Sequence, residues 1–167
     1  MSRLERPAVE SRLLPAPLLR VANPVLRVVL RSPLHRAVSR QLMLLHVTGR
    51  KSGRVYVIPV GRHYHEGQLV ASAGGAWRRN VAGGADLEVT LDGRRRRAHG
   101  ELLDDPQVVA KIFGDLLVGV GLRRAIRLGL KINVDRAPTP EELRAALVHR
   151  MVLRLSILDN TAQPASR

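Results

Sequence analysis

The chain contains no cysteine, which removes a disulfide framework, a thiolate nucleophile and any cysteine-ligated zinc or iron–sulfur centre. Redox chemistry here would need a bound cofactor. Aromatic residues make up only 2% of the sequence, so Tyr56, Tyr64, Trp77 and Phe113 leave few platforms for stacking single-stranded bases. Long apolar runs are missing too: the longest, Leu116 to Leu122, falls well short of the roughly 20 residues of a membrane span. Near the N-terminus Glu5 and Glu10 precede the apolar stretch Leu18 to Leu30, which Arg20 and Arg27 interrupt. No secretory h-region is available there, and the expected location is the cytoplasm. Acidic residues are scarce, with Asp+Glu 14 against Lys+Arg 28 and a net charge of +14. All but Lys51, Lys111 and Lys131 of those cations are arginines. Such an excess attracts phosphate-rich partners: nucleic acid, anionic lipid head groups or phosphorylated cofactors.

What is present suits one globular domain. The 167 residues are 45% hydrophobic and 25% charged, enough to bury a core without staples and too apolar for wholesale disorder. Residues 1–40 read as a basic arm cut by Pro7, Pro15, Pro17, Pro24 and Pro33. Within residues 18–40, apolar positions alternate with Arg27, Arg31, Arg36 and Arg40, as in a basic amphipathic helix. That helix would pack on the domain or lie on an anionic membrane surface. Residues 41–160 carry the folded unit, and 161–167 a tail.

From Gln41 the pattern becomes one of strands and tight turns. Leu42 to Val47 and Arg54 to Tyr64 flank the turn Thr48-Gly49-Arg50-Lys51-Ser52-Gly53, and Gln68 to Ala73 follows His65-Glu66-Gly67. Asp86 to Leu91 and Arg94 to Leu103 flank Asp92-Gly93, a two-residue hairpin signal. Asp105-Pro106 then opens a helix with an apolar stripe, and Thr139-Pro140-Glu141-Glu142 opens another as a capping box, followed by a last strand from Met151 to Leu158. Successive hairpins with late helices predict a mainly β fold: an antiparallel sheet or small barrel covered by helices.

Two segments carry candidate chemistry. Around Arg50, Lys51 and Ser52, the glycines at 49 and 53 let the backbone curve while cationic and hydroxyl donors point outward. Such a turn can hold phosphate or carboxylate oxygens, or can be a solvated hairpin tip. It lacks the spacing of a nucleotide-triphosphate loop. In the second, Ala71-Ser72-Ala73-Gly74-Gly75-Ala76-Trp77-Arg78-Arg79-Asn80, a strand ends in small residues and two glycines before a short helix. Free backbone N–H groups there could face an anion or a planar ring, with Trp77 beside it or in the core. His63 and His65, one residue apart on a strand, would face one side; without a third ligand they read as an edge strand, and no metal is expected. Arg94 to Arg97 places two cations on each face of a strand, which reads as a solvated edge or, joined to the arm, as a nucleic-acid stripe.

Taken in order, Leu44-Leu45-His46-Val47-Thr48-Gly49-Arg50-Lys51-Ser52-Gly53, then Pro59, Ala71-Ser72-x-Gly74-Gly75, Trp77-x-x-Asn80 and Leu87-Glu88-Val89 resemble the deazaflavin-dependent nitroreductase family of flavin/deazaflavin oxidoreductases. The resemblance spans about residues 41–102. It implies a split β-barrel, like those that bind FMN, and coenzyme F420 held through its phosphate and glutamate tail, with FMN as the alternative. Carried over, Arg50, Lys51 and Ser52 would hold the tail, and Tyr56, Val57 and Pro59 would line the groove. Ala71, Ser72, Ala73, Gly74 and Gly75 would edge the ring and phosphate, and Trp77 and Asn80 would close the pocket. The activity implied is hydride transfer from reduced F420 to a quinone or another hydrophobic acceptor. A homodimer and a peripheral seat on the inner face of the membrane go with it. Relatives usually place several residues where Ala76 alone joins Gly75 to Trp77, so a more open ring face and a slower, less selective reaction are expected. The alternatives are a non-catalytic cofactor- or lipid-binding barrel and, from another class, a basic nucleic-acid-binding protein, a reading the few aromatics disfavour.

Overall fold

A computed structural model describes residues 6–12, 24–25, 28–29, 32 and 40–158. Most of the helix expected over residues 18–40 therefore lies outside the described residues; of it, residues 24, 25, 28 and 29 are helical. The expected tail at 161–167 also lies outside them.

Seven strands form one antiparallel sheet: β2 (Leu42–Thr48), β3 (Val55–Gly61), β4 (His63–His65), β5 (Gln68–Ala73), β6 (Ala85–Leu91), β7 (Arg94–Leu103) and β9 (Met151–Ile157), in the order β3-β2-β6-β7-β9-β5-β4. The sheet curls into a half barrel, a split β-barrel of the β+α kind. Alternation along the strands decides what the curl encloses. Met43, Leu45 and Val47 of β2 meet Leu87 and Val89 of β6, Ala71 and Ala73 of β5, and Leu153 and Leu155 of β9 in one buried cluster. A second cluster fills the space between the sheet and α1 (Pro106–Val120), where Val109, Ile112, Phe113 and Leu117 cover Val70 of β5 and Val152 of β9. Both faces of β5 and β9 are thus buried, each by a different core.

Helix starts follow their caps. The Asp105 side chain accepts from the backbone N–H of Gln107 at 2.8 Å and of Val108 at 3.1 Å, ahead of Pro106 in the first turn of α1. At α2 (Pro140–Ala146), the backbone N–H of Thr139 donates to Glu142 at 2.8 Å and that of Glu142 to Thr139 Oγ1 at 3.2 Å. The hydrogen bonds from Arg136, then from the Thr139 backbone, hold the Glu142 carboxyl at about 2. This helix is shorter than the sequence suggests, ending before the turn at Leu147.

Two features differ from the sequence reading. The long strand expected over 54–64 divides at Arg62, where the chain leaves β2 and its next strand pairs with β5; the Arg62 guanidinium bonds Asp92 at 2.8 Å and Tyr64 at 3.0 Å. Residues 9–11, read as arm, form β1 (Val9–Ser11), paired with β8 (Leu130–Ile132) in a second small sheet. The strand β7 as a whole lies between β6 and β9, but its β9 register begins at Ala98, so Arg94 to Arg97 pair in register with β6 alone and stand exposed, as a solvated edge does. Of the four, Arg95 pairs with Glu88 of β6 at 2.7 Å, and further along the strand Glu101 pairs with Arg154 of β9 at 2.5 Å.

β4 is the edge strand expected at His63 and His65. The His65 ring lies 2.8 Å from Asp115 of α1, while His63 packs against the Gly61 backbone and burial pushes its pKa below the usual value. Among the described residues no three metal-ligating side chains converge. A histidine held neutral in the fold and free to ionise when unfolded stabilises fully above the unfolded value of about 6.5, and that stability is lost as pH falls below it. We expect the urea midpoint to drop between pH 7.5 and 5.5, and His63→Phe to flatten that drop; an equal drop in both proteins would refute this origin.

Candidate functional site

Two glycine-bearing turns meet at one end of the half barrel. Between β2 and β3, the Gly49 N–H donates to the Arg54 carbonyl and the Gly53 N–H to the Gly49 carbonyl, each at 2.8 Å. Gly53 takes a φ of +64°, a left-handed value that glycine adopts at little cost. A Cβ on Gly49 would lie 2.8 Å from Ser52 Oγ and 2.9 Å from the Tyr56 ring, so glycine alone lets hydroxyl and ring close over the turn. Beyond β5, Gly75 turns the chain into a 3-10 segment, Ala76–Asn80.

Arg50 joins the two turns. Its backbone N–H donates to Asn80 Oδ1 at 3.2 Å across a separation of 30 residues, and its guanidinium donates to the Ala82 carbonyl. The segments singled out in the sequence thus form one continuous surface. Within it, Lys51 and Ser52 are exposed at the tip of the turn, and Trp77 is half-buried against the barrel core.

Strand alternation divides the remaining candidates. Tyr56 pairs with Val47 in register and so shares its face with the barrel interior, whereas Val57 and Pro59 pair with His46 and Leu44 on the outer face. Ala71 and Ala73 are buried in the barrel core. Ser72, between them, faces the helices and accepts a hydrogen bond from Arg150 at 2.7 Å. Arg50, Lys51, Ser52, Tyr56, Trp77 and Asn80 therefore gather at one end. Val57, Pro59 and the Ser72 hydroxyl look elsewhere, while Gly74 and Gly75 form the link.

The electrostatics of this end are lopsided. Arg50, Lys51, Arg54 and Arg79 are exposed, and among the described residues none pairs with a carboxylate; Arg78 donates to the His149 carbonyl at 3.3 Å. Elsewhere several arginines are neutralised, as in Arg62–Asp92 at 2.8 Å and Arg136–Glu142 at 2.7 Å. Uncompensated cations around a curved backbone suit a ligand bearing several negative charges. Arg54 and Arg79 received no role from the sequence; their only signal there is cationic character beside each motif.

A family model described as F420H(2)-dependent quinone reductase matches residues 27–111, a stretch that contains both turns. The chain belongs to the F420H(2)-dependent quinone reductase family. No curated protein is similar enough to match. Membership in the F420H(2)-dependent quinone reductase family agrees with the resemblance in the sequence and makes the protein an oxidoreductase by kind. The family's cofactor is F420; nothing in the match supports FMN.

A buried histidine lies behind this end. His46 of β2 is only 4% exposed; its Nδ1 lies 3.1 Å from Arg95 Nη2 and its Nε2 2.8 Å from Thr90 Oγ1. Arginine only donates, so Nδ1 must be the acceptor, and in the neutral ring Nε2 carries the hydrogen that it donates to Thr90. This network ties β2, β6 and β7 together and fixes the strand from which the Arg50 turn springs.

Proposed function

We propose that the protein transfers a hydride from reduced F420 to a quinone or another hydrophobic acceptor. The observation that carries this reading is the Arg50 bridge, which brings an unpaired cationic turn against the Gly75–Asn80 segment within the region of family membership. Arg50, Lys51 and Ser52 would hold the phosphate and glutamate tail, with Arg54 and Arg79 adding positive potential at the rim. Tyr56, Trp77 and Asn80 would border the ring, and the N–H groups near Gly74 and Gly75 would face its polar edge. Bound F420 supplies the hydride; the chain supplies position and electrostatics. The tail contacts are charge–charge contacts, so binding falls with salt, and the proton that completes the quinol comes from solvent at the open side.

That openness follows from the one-residue link through Ala76. A short wall leaves the ring face wet, which weakens the electrostatic gain of an enclosed site. Slow reduction of several quinones is the expected behaviour, in place of fast reduction of one. Titration of the purified chain with F420 and with FMN, followed by fluorescence, checks the cofactor. F420 should bind at least about tenfold more tightly, since its glutamate tail adds carboxylates for the same cations and one extra charge-assisted bond contributes about 1.5–3 kcal/mol. Equal or tighter binding of FMN would overturn the assignment.

A further inference from the structure

A second cationic surface lies on the helical side of the molecule. After α1, Gly121 starts a 3-10 segment, Leu122–Leu128. With three residues per turn, side chains at i and i+3 line up, so the segment has three rows. Leu122, Ala125 and Leu128 form the inward row, with Ala125 and Leu128 only 2% and 3% exposed. Arg123 and Ile126 form one outward row, and Arg124 and Arg127 the other. Ile126 stands 62% exposed among these three arginines, and Val118, on the last turn of α1, is 83% exposed. No Asp or Glu occurs between Asp115 and Asp135, and among the described residues none of the three arginines pairs with a carboxylate.

Beside this segment a mainly apolar groove of about 720 Å³ runs between α1 and α2, floored by Leu117, Leu122 and Leu143, with Lys111, Asp115, Glu141 and Arg144 also in its lining. A surface that combines unpaired arginines, outward aliphatic side chains and an adjoining apolar groove fits the interface of an anionic bilayer, where phosphates meet the guanidinium groups and the aliphatics enter the acyl boundary. A nucleic acid would satisfy the arginines and leave Val118, Ile126 and the groove in water.

We propose that the Leu122–Leu128 segment, with Val118, is a docking surface for an anionic lipid bilayer. The inference goes beyond the reductase reading and needs no cofactor, so either can fail alone. It also differs from the arm expected over residues 18–40, because it places the contact on the folded domain.

The absence of cysteine makes the test direct. In the full chain, Ile126→Cys carries an environment-sensitive fluorophore, and Arg97→Cys on β7 carries the same label as a comparator. On vesicles of phosphatidylcholine with phosphatidylglycerol, the label at 126 should shift to the blue, while the label at 97 should not. Vesicles of phosphatidylcholine alone should shift neither. In sedimentation with the same anionic vesicles, Arg123→Gln with Arg124→Gln and Arg127→Gln should weaken partitioning by about 100-fold, at roughly fivefold per cation. Removing three charges from β7, by Arg94→Gln, Arg96→Gln and Arg97→Gln, should weaken it far less. A label at 126 that stays in water on anionic vesicles would overturn the proposal, as would equal losses from the two triple variants. A short DNA duplex that shifts the label at 126 as the vesicles do would overturn it in favour of nucleic acid.

Discussion

Replacing Arg50 and Lys51 together by Ala is expected to weaken F420 binding by about 10²–10⁴-fold. Each side chain offers charge-assisted donors to a polyanionic tail, worth about 1.5–3 kcal/mol apiece, and each 1.4 kcal/mol is a factor of ten. Both residues are exposed; the substitution gives up the guanidinium contact with the carbonyl of exposed Ala82 but keeps the backbone N–H of Arg50 that holds Asn80. The loss should therefore appear in affinity and not in folding. It should also shrink at high salt, where screening has already weakened the wild-type contacts. Fluorescence titration at two salt concentrations measures both effects. Arg94→Ala with Arg97→Ala, on a strand away from the Arg50 turn, should leave the affinity within about twofold, because distant exposed charges are largely screened. A double Arg50 and Lys51 variant that binds like wild type would place the tail elsewhere.

The largest expected loss of stability comes from Arg150. This arginine, between α2 and β9, is only 6% exposed, and among the described residues it has no carboxylate partner. Its guanidinium donates to Ser11 Oγ at 3.0 Å, to Ser72 Oγ at 2.7 Å and to the Gly129 carbonyl at 2.7 Å. It also lies 5.7 Å from the centre of the Phe113 ring. One side chain thus pins β1, β5, α1 and the turn before β8. Burial pulls its pKa below the usual guanidinium value, since the charge is met only by neutral acceptors and a ring face. Gly129 accommodates this contact, because a Cβ there would fall 2.6 Å from the Arg150 Nη2. Arg150→Ala removes the packing and orphans a buried carbonyl, and should cost about 2–4 kcal/mol. For a chain of this size that lowers Tm by roughly 5–15 °C. Arg150→Lys keeps the charge and loses the fork, so it should fall between the two. Urea denaturation of the three proteins decides the matter; an Ala variant within about 0.5 kcal/mol of wild type would show that the buried cation contributes nothing.

The Arg150 staple also shows where sequence reading stops. Its partners are 139, 78 and 21 residues away, and no local pattern distinguishes it from the many exposed arginines of the chain. The same holds for β1 and β8, three-residue strands too short to show a period and paired across almost the whole sequence. By contrast, elements governed by neighbours were legible. Asp92-Gly93 does join β6 to β7, and the Asp105 and Thr139 caps do start α1 and α2. The expected strand over 54–64 divides at Arg62 because its two halves pair with different strands, β3 with β2 and β4 with β5, a choice of partner that composition does not show.

At the candidate site, the two motifs were visible as glycine-rich turns with donors, but their meeting was not. It depends on the Asn80 side chain and the Ala82 carbonyl reaching Arg50 once the sheet has curled. Period-two alternation could have shown that Val57 and Pro59 face away from Tyr56, and Ser72 away from Ala71 and Ala73. Which face would be the barrel interior depends on how the sheet curls, and the sequence does not show it.

Single-turnover oxidation of bound, reduced F420 by menadione tests the central claim, read as the return of deazaflavin absorbance. Holding donor and acceptor together in near-attack geometry should accelerate the transfer at least about 100-fold over the enzyme-free rate, even at an open site. The acceleration should vanish in the Arg50 and Lys51 double variant at cofactor concentrations that saturate the wild type. Oxidation at the enzyme-free rate, with titration showing the cofactor bound, would contradict the account.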